Sequence, residues 1–190
     1  MNTIVTSQKD ILEICKQLIK EDGVRAVTIR SVAKRAQVSV GSIYNYFPSK
    51  EALVAAAVQA VWVEIIHLSG CTEQEMDFKE TMIWLFNGIK QGRDHYPNFF
   101  DYHSMGFLSH DHNGPEGSME EFFQKIYQTM LTSLYSDSQI NRDVFNEKFT
   151  PEGFVTFIFQ SFMDSILRSA FDESYLITII DKLLYPTNET

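Results

Sequence analysis

The apolar positions of this chain recur at intervals of three and four along most of its length. In "SQKDILEICKQLIKEDG", Ile11, Leu12, Cys15, Leu18 and Ile19 fall on one stripe, which predicts a helix with one buried face. Ser7 is placed to cap its start and Gly23 to end it in a left-handed turn. "TIRSVAKRAQ" follows, with Thr28 as the N-cap and Ile29, Val32, Ala33 and Ala36 as the inner face. After a short turn Ser39 caps a third helix. That helix must stop at Phe47, because a residue before proline is pushed out of the helical region. Ser49 then caps a fourth helix, "KEALVAAAVQAVWVEIIHL". Three short helices, with only a turn between the second and third, have helix-turn-helix spacing.

From Trp62 onward the periodicity stays helical, with no alternating strand pattern and no hairpin dipeptide. Helices are expected at about 75–92, 96–109, 117–135, 151–171 and 174–185. Gly, Pro, Asn, Asp and Ser cluster in the breaks between them, at "LSGCT", "HYP", "HDHNGPEG", "DSQINRD" and "FDES". The expected fold is therefore all-α. Residues 1–50 would form a helix-turn-helix domain and residues 51–190 a helical domain for ligand binding and dimerisation.

Charge changes this picture. The chain carries a net −9, which argues at first against nucleic acid. Residues 1–60, however, hold eight bases against five acids, and the remaining 130 residues hold eight bases against twenty acids. A basic head on an acidic body points to two tasks, one of them near phosphate. At 44% hydrophobic residues the chain can bury a core. Cys15 and Cys71 lack metal or redox spacing and are expected as buried thiols. The first residues have no basic start followed by an apolar run, and no stretch reaches membrane-helix length. The expectation is a soluble, cytoplasmic protein with no membrane partner.

The third helix carries the most specific chemistry. Ile43 and Phe47 can anchor it, with Val40 at its start. Its other face offers Ser39, Gly41, Ser42, Tyr44 and Asn45, all neutral and mostly short. Gly41 costs the helix about 1 kcal/mol relative to alanine, which makes sense if another backbone must come close. A DNA major groove fits: short polar groups read base edges and tyrosine hydroxyls reach phosphates. Lys50 opens the next helix at its positive dipole end, and no acid occurs from Ala36 to Lys50. The competing reading is a short helix in a small bundle that touches no DNA.

The stretch "TIRSVAKRAQVSVGSIYNYFPSKEAL" closely resembles the signature of TetR-type transcriptional regulators. A Thr-led helix, an Ala-x-Val-Ser turn, a Gly-x-Ile-Tyr helix and a Phe-x-x-Lys-Glu-x-Leu ending come in that order, over about residues 8–55. The resemblance implies a helical homodimer with an N-terminal DNA-binding domain and a C-terminal ligand-binding domain. It implies phosphate contacts from Thr28, Tyr44, Tyr46 and Lys50, with Arg30 in the same set. It turns Ser39, Val40, Gly41, Ser42 and Asn45 toward the groove. Two residues depart from the pattern: Gln37 stands where glycine is usual, and Tyr46 where histidine is common.

The larger half is rich in aromatics and methionine, which pack cores and also line apolar cavities. With the resemblance, a cavity is expected there, with Trp62, Ile66, Phe86, Phe100, His103, Phe107, Phe122, Tyr127, Met130 and Phe157 as its candidate lining. The expected effector is a small apolar molecule or a cation held over ring faces. His103, His110, Asp111 and His112, with His95 nearby, are metal-ligand types without metal-ligand spacing, so no metal and no cofactor is expected.

Along "FVTFIFQSFMDSILRSAF", Ser161, Ser165 and Ser169 form a small-residue row beside the ridge Phe154, Ile158, Phe162 and Ile166. Leu176, Ile180 and Leu183 supply a second stripe. Two such helices from each subunit would make a four-helix dimer seam. No nucleophile motif, phosphate-binding glycine loop or spaced Glu-x-x-His pair is present. A regulator that binds a double-stranded DNA operator, most simply a repressor released by its effector, is therefore set against a helical enzyme or a protein-interaction module.

Overall fold

The computed structural model describes residues 6–68, 76–100, 118–167 and 172–185. They form eight α-helices: α1 Gln8–Asp22, α2 Ile29–Ala36, α3 Val40–Tyr44, α4 Lys50–Leu68, α5 Phe78–His95, α6 Ser118–Ser136, α7 Pro151–Leu167 and α8 Glu173–Leu184. Among the described residues there is no named strand; Asn146 and Phe149 pair only as an isolated bridge. The fold is all-α.

The first helices begin where their caps stand. The Ser7 hydroxyl accepts from Asp10 N–H at 3.1 Å, and the Asp10 carboxylate accepts from Ser7 N–H at 3.0 Å. Thr28 and Ser31 form the same reciprocal box at the head of α2. Ser39 accepts from Ser42 N–H, and Ser49 from Ala52 N–H. Each such cap satisfies an otherwise orphaned amide and is worth about 1 kcal/mol.

The chain divides into two compact units. One holds Met1–Ile66 and Gln91–Glu121, the other His67–Lys90 and Phe122–Thr190. The first has a core of Ile11, Cys15, Ile19, Val32, Ile43, Leu53 and Ile65, with Trp62 set edge-on to Phe99 and Phe100. Cys15 is wholly enclosed, and burial pushes its thiol up to about 12. The second unit packs with aromatic rings. Phe78 and Phe86 of α5 meet Phe154 and Phe162 of α7, and Phe145 and Phe149 close on Phe154.

Several elements differ from expectation. α5 runs to His95, and residues 96–100 form turns in place of the start of a helix at 96–109. Pro97 supplies the reason, since it disfavours helix at Tyr96 and lacks an N–H of its own. The rest of that expected helix lies outside the described residues. α3 is shorter than expected, ending at Tyr44, with Tyr46 and Phe47 N–H both bonded to the Ile43 carbonyl. Gly23 has φ +79° but ψ 177°, so it ends α1 in an extended mirror conformation and not in the left-handed helical one. α7 ends at Leu167 within the described residues.

Candidate nucleic-acid interface

The turn between α2 and α3 is set by Gln37 and Val38. Gln37 adopts φ 56°, ψ 36°, the left-handed conformation in which glycine is cheapest, and the Val38 amide bonds the Ala33 carbonyl at 3.0 Å. α3 is held from behind by Ile43, wholly buried, and by Phe47 just beyond its end. Its outward side presents Ser39, Val40, Gly41, Tyr44 and Asn45 to solvent, with Ser42 half-buried. Val40 is 41% exposed and Tyr44 49%. A β-carbon on Gly41 would meet only the Ser39 hydroxyl, at 3.7 Å, so the protein itself does not require a glycine there.

The expected phosphate contacts surround this face. Arg30 and Lys50 are exposed. The Thr28 hydroxyl is engaged within its cap: it donates to Ser31 Oγ at 2.9 Å and accepts from Ser31 N–H at 3.0 Å. The Tyr44 hydroxyl has no partner among the described residues. Tyr46 is exposed as well, but its hydroxyl donates to the Thr6 carbonyl at 2.5 Å. Arg35 is committed elsewhere, in a two-pronged pair with Glu21 at 2.7 and 2.8 Å that fastens α2 to α1. The guanidinium holds the Glu21 carboxyl below its ordinary value.

The end of α1 is gripped by the turn after α5. Asn98 Nδ2 donates to the Glu21 carbonyl at 2.9 Å and to the Lys20 carbonyl at 3.3 Å, satisfying groups that a helix end leaves open. Lys16 bridges to Glu64 of α4 at 2.5 Å, and His95 Nε2 stands 3.6 Å from the same carboxylate. Burial pushes Glu64 up, but hydrogen bonds from Lys16 and Tyr96 outweigh it and hold the group below its usual value. Gly92 lies so close to α4 that a β-carbon would sit 2.6 Å from Ile65 Cγ2. None of these long-range contacts was legible in the sequence, because no local spacing marks them.

The described candidate effector residues divide between the two units. Trp62, Ile66 and Phe100 belong to the first unit, where the Arg93 guanidinium lies 4.7 Å from the centre of the Phe100 ring. Phe86, Phe122, Tyr127, Met130 and Phe157 belong to the second. There Phe86 meets Phe162, Phe122 meets Phe123, and Tyr127 meets Phe159 and stands 3.3 Å from the Thr156 hydroxyl. Met130 is wholly buried, but Phe157 is 53% exposed and turns to solvent. His103 and Phe107 lie outside the described residues. Trp84 of α5 was not singled out from the sequence. Its indole N–H is buried and has no hydrogen-bond partner among the described residues. Among the described residues no group of three metal-ligating side chains comes together.

Of the residues expected in the dimer seam, Phe154, Ile158 and Phe162 are buried within the chain itself, the two phenylalanines against α5, and Leu176 and Ile180 are buried too. Of that set Leu183 is exposed at 43% and Ser161 is half-buried. Ser165 and Ile166 stand in the last turn of α7, and Ser169 lies outside the described residues. The outward stripe of α8 is Tyr175, Ile179 and Leu183, one turn apart, and α7 adds Phe157. The period of the sequence marks two rows on α7 and one stripe on α8 without telling which of them the chain itself covers.

Residues 11–57 match the family described as "Bacterial regulatory proteins, tetR family". The chain is 45% identical over 51 residues to the HTH-type transcriptional repressor KstR of Rhodococcus jostii, and 43% over 51 residues to that of Mycobacterium tuberculosis. Those matches cover 27% of this chain and about a quarter of each relative, 24% and 23%. The nucleoid occlusion factor SlmA of Actinobacillus pleuropneumoniae is 38% identical over 55 residues, covering 28% of this chain and 27% of SlmA. In fold, the chain resembles the transcriptional regulator SCO7222, a TetR from Streptomyces coelicolor, with a TM-score of 0.61 at 16% identity over 93% of this chain and 78% of that one.

Proposed function

We propose, from the match of residues 11–57 to the tetR family of bacterial regulatory proteins, that the chain is a TetR-type regulator that binds a double-stranded DNA operator through α3 and represses transcription until a small effector releases it. One observation carries the reading: α3 is anchored by Ile43 while Ser39, Val40, Gly41, Tyr44 and Asn45 face solvent. A helix so short, with an outward face so free of charge, has little to do in water. In a major groove its small groups approach base edges, and the groups around it meet phosphate. Arg30, Tyr44 and Lys50 supply donors, and Thr28 holds the N-terminal turn of α2, where amides favour an anion. In this reading residues 1–50 bind DNA, and residues 51–190 bind the effector and a second copy.

Effector binding rests on the aromatic half. A small apolar ligand suits it better than a cation at Phe100, whose ring already carries Arg93. Trp84 would give its buried indole N–H to an acceptor on that ligand. Release would act through α4, which begins at Lys50 and carries Trp62 and Ile66 in the core of the first unit. A ligand can shift this helix only through a difference in affinity between two states, typically worth about 1–3 kcal/mol. The homodimer would form on the outward stripe Tyr175, Ile179 and Leu183 with Phe157. No helix among the described residues is long and apolar enough to cross a membrane. In this reading the protein acts in the cytoplasm as a regulator and not as an enzyme.

The test is selection of binding sequences from random DNA, followed by gel shift of the selected duplex over a salt series. We expect a selected sequence with two-fold symmetry and an affinity that falls steeply with salt. Failure to enrich any sequence would sink the reading.

A further inference from the structure

Tyr46 makes a hydrogen bond that DNA binding does not use. Its hydroxyl donates to the Thr6 main-chain carbonyl at 2.5 Å, across forty residues of sequence. Thr6 precedes Ser7, the residue that caps α1, so the bond ties the end of the recognition segment to the head of α1. A phenol has one hydrogen, and a phosphate oxygen can only accept. While that hydrogen is given to Thr6 it is unavailable to DNA. The tether also meets a mechanical need. α3 has five residues, too few to hold a helix on their own, and of these only Ile43 is buried. The turn from α2 and the Ser39 cap fix its start, and Ile43 and Phe47 hold its inner side. The bond from Tyr46 adds a hold at its far end, to another element. Tyr44, two residues earlier, is as exposed as Tyr46 and has no hydroxyl partner among the described residues.

We propose that Tyr46 is a positioning residue that sets the angle of α3 through the Thr6 carbonyl, and that Tyr44 alone makes the tyrosine contact to phosphate. The proposal rests on the DNA-binding reading, but one arm of its test does not. Affinities are measured for a selected operator duplex and for an unrelated duplex. The proteins are the full chain, Tyr46→Phe, a chain beginning at Ser7, and the chain with both changes. Phosphate contacts are blind to sequence, whereas a tilted reading helix loses sequence preference. Tyr46→Phe should therefore lose about tenfold on the operator, the scale of one hydrogen bond, and little on the unrelated duplex. In the chain beginning at Ser7 the same substitution should cost nothing more, because the bond is already gone. Tyr44→Phe should weaken both duplexes alike. If Tyr46→Phe weakened both duplexes alike and added to the truncation, Tyr46 would be a phosphate ligand and the proposal wrong. No effect on either duplex would overturn it equally. If the full chain selects no operator, the DNA-binding reading fails first, and thermal unfolding without DNA then decides the tether. Tyr46→Phe should lower Tm in the full chain and leave it unchanged in the chain beginning at Ser7. An equal Tm change in both, or none in either, overturns it.

Discussion

The two compact units are helical alike and start helices at caps alike, with Asp77, Thr150 and Asp172 heading α5, α7 and α8, yet their interiors are filled differently. In the first, helix starts are fixed by Ser7, Thr28, Ser39 and Ser49, and the interior is mostly aliphatic around Ile11, Ile19, Ile43 and Leu53. In the second, rings fill much of the space: Phe78, Phe86, Phe145, Phe149, Phe154 and Phe162 meet edge-on, tilted or stacked. Caps specify where a backbone begins, and both units have them. What differs is the filling: aliphatic side chains lie beneath α3 in the first unit, and rings lie between α5 and α7 in the second.

The sharpest way to break the comparison is to empty each core once. Phe162→Ala removes a wholly buried ring from the second unit and should cost about 3–5 kcal/mol. Ile43→Ala does the same beneath α3 and should cost about 2–5 kcal/mol. Urea unfolding measures both. Their effects on DNA should differ, since only Ile43 supports the reading helix: folded Phe162→Ala should keep operator affinity, and folded Ile43→Ala should lose it. Equal losses of affinity would erase the distinction between the halves.

Two glycines of the first unit sharpen it next. Gly92→Ala puts a β-carbon 2.6 Å from Ile65 Cγ2 and should destabilise by about 1–3 kcal/mol, as overpacking does. Gly41→Val meets only open space and the Ser39 hydroxyl, so the fold should stand and even gain a few tenths of a kcal/mol, roughly. Its operator affinity should nevertheless fall by at least about tenfold, the scale of a spoiled base contact. A gel shift with Gly41→Val like that of the unaltered chain would remove the case for close approach at α3.

How far these features were legible follows the same line. The caps at Ser7, Thr28, Ser39 and Ser49 were readable because an N-cap acts within three residues. The inward face of α3 was readable because Ile43 and Phe47 are four apart. Tyr46 bonding to Thr6 and Asn98 closing the end of α1 span 40 and 77 residues, and no periodicity encodes such reach. The stripe of α7 is readable from its period, but its covering is not. Phe154, Ile158 and Phe162 look the same in sequence whether α5 or a second copy covers them, and only the three-dimensional packing decides. The start of a helix at residue 96 was misplaced even though Pro97 gave the local signal against it.

A smaller effect tests the control of the turn. Gln37 sits in the left-handed region at φ 56°, which costs a side-chain-bearing residue about 1–2 kcal/mol and glycine nothing steric. Glycine carries more entropy in the unfolded chain, which offsets part of the gain. Gln37→Gly should therefore raise stability by roughly 0.5–1 kcal/mol while leaving operator affinity intact. A loss of stability would mean that the glutamine side chain contributes something beyond its backbone angle.

The smallest effect concerns charge. In the first unit Lys16 and Glu64 pair with side chains 16% and 28% exposed; in the second Lys79 and Asp181 pair at 37% and 47%. The better-shielded pair should count for more. The folded state holds Glu64 below its usual carboxylate value, so its contribution is present above the unfolded value, about 4.3, and is lost as pH falls through the folded one. Lys16 is held above its usual value: burial opposes the charge, but the carboxylates of Glu13 and Glu64 outweigh that, so its share is lost only at strongly alkaline pH. At pH 7 both contributions stand. Solvent screening keeps such a pair to under about 1 kcal/mol. Glu64→Gln should therefore lower stability slightly at pH 7, and the gap to the unaltered chain should close as the pH is taken well below 4. Asp181→Asn should produce a smaller gap at pH 7, because water already screens its partner. Urea midpoints at the two pH values give both differences. If the Glu64→Gln gap stayed open in acid, the carboxylate would be acting through its hydrogen bonds and packing, and the two ion pairs would not differ by shielding.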